Sequence, residues 1–101
     1  MHTKKRLELI IEKPALKRAG RVLEEAGVTG YTVFPAMAGY GAGRRWQRGT
    51  DLSASADLVM LISIMDETTA AKAIDNLENL VGAHIGVLSL SDVQVLRPKK
   101  F

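Results

Sequence analysis

The chain has 101 residues, 47% hydrophobic and 25% charged, which is room for one domain and a balance that excludes a disordered chain. It contains no cysteine, so disulfides, thiolate zinc sites, iron–sulfur clusters and a cysteine nucleophile are all excluded. The net charge of +3 favours anionic partners without requiring nucleic acid.

The start, Met1-His2-Thr3-Lys4-Lys5-Arg6, carries the charge of a signal-peptide n-region, but the next six residues are too acidic and too short for its apolar core. No apolar run approaches the length of a membrane span, and a cytoplasmic location is expected. Residues 4–12 then alternate, with Leu7, Leu9 and Ile11 on one side, as a strand with one buried face does. Pro14 opens a helix in which Leu16, Ala19, Val22, Leu23 and Ala26 share a face, and Gly27 stops it.

Residues 30–37 read as a second strand, at an edge or bent because of Pro35. Residues 38–55 hold four glycines and three arginines with almost no apolar periodicity, which predicts a long, flexible loop. Residues 56–65 form a nearly continuous apolar run, a central strand buried on both faces or nearly so. Asp66 is placed to cap the next helix, whose inner stripe is Ala70, Ala73, Ile74, Leu77 and Val81 and whose end is Gly82. Residues 87–96 form the last strand, with a break expected near Ser91-Asp92, and Pro98 keeps the tail out of a central strand.

The predicted order is β-α-β-loop-β-α-β over a single domain, residues 1–101. Right-handed crossovers fold that order into an α+β sandwich, the ferredoxin-like βαββαβ arrangement, with both helices on one face of a four-stranded antiparallel sheet. The other sheet face needs cover, and a homotrimer formed around it is the expectation.

The fold hosts many functions, so side chains must decide. In the central loop, Gly39, Gly41, Gly43 and Gly49 can bring backbone N–H groups close to a phosphate, and Arg44, Arg45 and Arg48 can add bidentate charge. The pattern precedes a strand, so it is neither a Walker loop nor a dinucleotide fingerprint. A flexible, solvated loop with incidental charge is the plain alternative. A second glycine-bracketed turn, Gly82-Ala83-His84-Ile85-Gly86, offers N–H groups to an anion, although helix termination alone explains Gly82. His84 reads as a surface residue, and two histidines so far apart in sequence predict no metal site. Trp46 either stacks on a base or a partner protein or packs the loop down. No serine or carboxylate has a nucleophile signature around it, so no catalytic residue is assigned and no enzyme is expected.

Ile11-Glu12-Lys13, the run Gly27-Val28-Thr29-Gly30-Tyr31-Thr32-Val33 and the Gly-x-Gly loop together resemble the PII signal-transduction proteins. The likeness covers nearly the whole chain, and Gly-Tyr-Thr-Val is its most specific piece. That family comprises ferredoxin-like homotrimers that bind adenine nucleotides between subunits and dock on transporters or enzymes through a central T-loop. The loop arginines followed by Thr50-Asp51-Leu52, and Gly86 before Val87-Leu88, are most similar to the PII-like branch associated with carboxysomes and bicarbonate transport.

The resemblance implies AMP, ADP, ATP or cyclic AMP as ligand, bicarbonate as a further ligand, and a regulatory role in inorganic-carbon transport or metabolism. It puts Thr32 near the adenine, Gly39 and Gly41 at the loop base, Gly86 in the phosphate loop, and Arg97 and Lys99 in the basic pair after the last strand. Arg44, Arg45 and Arg48 join them from their own chemistry. Gly82 to Gly86 lacks the lysine of the classical phosphate loop, and the central loop departs from the classical one. Two other readings are an RNA-binding ferredoxin-like module, which would need stacking aromatics on central strands, and a small phosphate-transfer enzyme, which would need an acid–base constellation. A purely structural trimer would leave the loop arginines unused.

Overall fold

The computed structural model describes residues 1–49, 57–83 and 86–97. Strand β1 (His2–Glu12) leads through a short 3-10 turn (Lys13–Ala15) into helix α1 (Leu16–Glu25) and strand β2 (Thr32–Pro35). Strands β3 (Ala38–Gly41) and β4 (Arg44–Gln47) follow, then β5 (Leu58–Met65), helix α2 (Glu67–Ala83) and β6 (Gly86–Val95). Four strands form one sheet in the order β2-β5-β1-β6, every neighbour antiparallel. This is the predicted ferredoxin-like topology, two βαβ units with central strands β5 and β1.

Parity decides which side chains meet. Leu7, Leu9 and Ile11 of β1 lie beside Val59, Leu61 and Met65 of β5 on the face covered by helices, and all are buried. Ala19 and Leu23 from α1 and Ala70, Ala73, Leu77 and Leu80 from α2 complete one continuous core. Small residues on the helices let both axes approach the sheet closely. Gly27, at a φ of 95°, closes α1: its N–H donates to the Glu24 carbonyl and that of Val28 to Leu23, each at 3.1 Å, which satisfies the last carbonyls of the helix.

Several local expectations change. Residues 38–47, read as loop, form the β3–β4 hairpin; residues 50–56, including Thr50-Asp51-Leu52, lie outside the described residues. Helix α2 runs one residue past Gly82, to Ala83. The Asp66 carboxylate accepts from the Lys4 ammonium, and its backbone carbonyl accepts the Ala70 N–H at 2.9 Å. Strand β6 crosses Ser91-Asp92 without a break, because Lys5 faces Asp92 across the ladder and donates to it at 2.5 Å.

The run expected to be buried on both faces is buried on one, with Val59, Leu61, Ser63 and Met65 inside and Met60, Ile62 and Ile64 only half covered. Across the open face, register aligns Phe34, Met60, Ile10 and Val87 in one apolar row. Phe34 is 46% exposed and Val87 62%, apolar surface on the face that the chain's own helices do not cover.

Candidate functional site

Strand β2 is only four residues long and pairs with residues 59–62 of β5, so the preceding residues leave the sheet and open a gap beside the end of β5. Thr29, Gly30, Tyr31 and Thr32 on one side and Ile62, Ser63 and Ile64 on the other line this cleft of about 410 Å³. The volume falls in the range of small-molecule sites, roughly 300–1,000 Å³. Ser63, 2% exposed, holds the cleft's back wall: its hydroxyl donates to the Gly30 carbonyl at 2.6 Å. Thr32 stands exposed in the wall, where its side chain is available to a ligand.

The hairpin projects from the same side of the molecule as the end of β2. Its two-residue turn, Ala42-Gly43, has φ values of 51° and 79°, the pair of positive angles a type I′ turn requires. Gly39 sits opposite Trp46, and a Cβ at position 39 would come within 2.5 Å of the indole ring. The indole therefore packs on bare backbone and covers it. Tyr40 faces Arg45 and Gly41 faces Arg44 across the ladder. Arg48 is engaged within the fold. Its Nη1 donates to the Leu58 carbonyl at 3.1 Å and reaches that of Ala36 at 3.5 Å, while its backbone N–H donates to the Met37 carbonyl at 2.9 Å. Its guanidinium ties the hairpin base to the ends of β2 and β5.

The remaining predicted residues are spread out. Gly86 opens β6 opposite Ile11, where an added Cβ would meet the Ile10 carbonyl at 3.0 Å. Arg97 is exposed just beyond the other end of that ten-residue strand, roughly 30 Å away at the usual rise per residue. In the sheet, β6 and the hairpin-bearing strand β2 are at opposite edges. One chain thus brings Thr32, Gly39, Gly41, Arg44, Arg45 and Arg48 to one edge but not Gly86 and Arg97, so a single site using all of them draws on more than one copy. His84 and Lys99 lie outside the described residues.

Sequence reasoning missed Ser63, Ile62 and Ile64, although a lone hydroxyl in an apolar run was a usable signal. It also missed the contact of Tyr31, whose hydroxyl donates to Glu24 Oε2 at 3.0 Å. That contact needs Gly20, since a Cβ there would lie 2.5 Å from the phenol oxygen. The hydrogen bond to Glu24 raises the Tyr31 pKa above its ordinary 10.0, with burial and the nearby carboxylate charge adding to it. A raised value means that this contact stabilises the fold below the ordinary phenol range and is lost as pH rises through the folded pKa. In Glu24→Gln, ultraviolet titration of tyrosinate should show Tyr31 ionising at lower pH than in the parent. An unchanged titration would show that the contact does not persist in solution.

Residues 4–100 match the family described as Nitrogen regulatory protein P-II. The fold superposes with a TM-score of 0.86 on CPII, a nitrogen regulatory PII-like protein from Thiomonas intermedia K12 bound to ADP, AMP and bicarbonate; the two are 30% identical, with 99% of this chain and 94% of that one covered. CPII bound to ADP, AMP and acetate is similar at a TM-score of 0.78 and 31% identity, covering 99% of this chain and 95% of the other. A UPF0166 protein of Aquifex aeolicus (strain VF5) is 33% identical over 84 residues, 83% of this chain and 78% of its own length. Matched in sequence over nearly its whole length and in fold to PII-like proteins, the chain belongs to the P-II family of regulatory proteins.

Proposed function

We propose that this protein is a non-enzymatic, cytoplasmic PII-like regulator. It works as a homotrimer, binds an adenine nucleotide in clefts between subunits, responds to bicarbonate, and acts through the hairpin on a transporter or enzyme of inorganic-carbon metabolism. The observation that carries the reading is the cleft between residues 29–32 and β5, open at the sheet edge from which the hairpin projects. Ile62, Ile64 and the Tyr31 ring suit the faces of a purine, and the Thr32 hydroxyl with nearby backbone groups suits its polar edge. Arg44 and Arg45 on the hairpin suit the phosphates, joined by Gly86 of one copy and Arg97 of another, since a single chain holds those two at opposite ends of β6. That CPII holds ADP, AMP and bicarbonate at 30% identity supports the ligand class.

Calorimetric titration with AMP, ADP, ATP and cyclic AMP, each with and without bicarbonate, tests this. Saturable binding of about one nucleotide per chain, changed in affinity by bicarbonate, is the expected result. No saturable heat from any of the four nucleotides would overturn the ligand assignment.

A further inference from the structure

Tyr31 belongs to the walls of two clefts. The second, of about 430 Å³, lies between α1 and β2 and is lined by Leu16, Lys17, Arg21, Glu24, Tyr31 and Val33. We propose that this second cleft binds a small organic anion, a carboxylate or phosphate group carried on an apolar body. Lys17 and Arg21 are four residues apart on α1, so both cations project from one face of the helix. Among the described residues neither has an ion-pair partner.

Glu24, which also lines the cleft, accepts from the Tyr31 hydroxyl at 3.0 Å and forms no ion pair with either cation. Gly20 supplies the space for this contact, so the phenol ring stands beside the helix as a wall. Leu16 and Val33, half-buried against the core, give the cleft an apolar floor. An arginine and a lysine above such a floor fit a planar or tetrahedral oxyanion with a hydrocarbon part beneath it. The proposal does not depend on nucleotide binding at the Thr32 cleft, because no cation of one cleft lines the other.

The test uses the whole, ¹⁵N-labelled chain titrated with benzoate, phenyl phosphate and the neutral benzyl alcohol, with and without saturating ADP. Expected are saturable amide shifts at Lys17, Gly20, Arg21 and Val33 with at least one of the two anions and none with the alcohol, and they should persist with ADP present. The tighter of benzoate and phenyl phosphate identifies the head group. Arg21→Gln should weaken the binding by about tenfold, the loss of one charge-assisted hydrogen bond pair. Both positions are exposed, so the variants should fold as the parent does. Equal affinity in the Lys17→Gln/Arg21→Gln double variant, or shifts confined to residues 29–32 and the hairpin, would overturn the proposal. Failure of ADP to bind while benzoate or phenyl phosphate still does would sink the nucleotide reading alone.

Discussion

Replacing Ile10 by aspartate should leave each chain folded but drive the assembled protein to single chains. Ile10 lies on the open face of the sheet, between Met60 and Val87 in the row that Phe34 completes. In a lone chain water reaches this row, and an exposed carboxylate there costs little. In a closed symmetric assembly every copy contributes the same face, so each would bury a carboxylate, at an effective penalty of several kcal/mol per ion. Glu8, two residues away on the same face and half-buried beside Arg6 and Ser89, adds like-charge repulsion. Light scattering should give three times the 11.0 kDa of one chain for the parent and one chain for the variant, with matching circular dichroism. Nucleotide binding should be lost with the assembly. A variant of unchanged mass would show that this face is not the assembly surface, and a monomeric parent would remove the intersubunit site.

The parts of this fold that were legible in the sequence are those whose burial follows a simple period. Leu7, Leu9 and Ile11 alternate, and Ala19 and Leu23 recur at helical spacing, so the first βα unit and the topology could be read directly. The hairpin was not legible, because its strands contain Gly39 and Gly41, which have no side chains to alternate, and because Ala42 is an unusual residue at a positive φ. The Trp46 side chain finds its partner in bare backbone at Gly39, a contact no hydropathy pattern encodes.

Long-range pairs were the other blind spot. Asp66 has the local features of a helix cap, but its contact with Lys4, 62 residues away, has no local signal. Ser63 and Gly30 are 33 residues apart, and their bond shapes the cleft. At the candidate site, Thr32, singled out through Gly-Tyr-Thr-Val, lines the cleft, and Arg48, singled out for its charge, also bonds carbonyls at the hairpin base, a contact its charge does not encode. Charge can be read from a sequence; the partner it takes depends on which strand ends meet.

Arg97→Ala should weaken ADP binding about ten- to a hundredfold while leaving the mass of the assembly unchanged. A hydrogen bond to a charged group contributes roughly 1.5–3 kcal/mol, and each 1.4 kcal/mol is about a tenfold change in affinity. Arg97 is exposed past the end of β6 and has no ion pair among the described residues, so its guanidinium is available to a ligand. A mere surface charge, worth about 0–1 kcal/mol, would give a loss under roughly fivefold that fades as salt is added. The loss should be large for ADP, smaller for AMP and absent for adenosine, because only phosphate oxygens accept from this side chain. The unchanged mass separates this effect from that of Ile10→Asp, which removes binding by dispersing the subunits. If Arg97→Ala binds ADP as the parent does, Arg97 is outside the phosphate site, and the charge there must come from the hairpin arginines, Arg44 and Arg45.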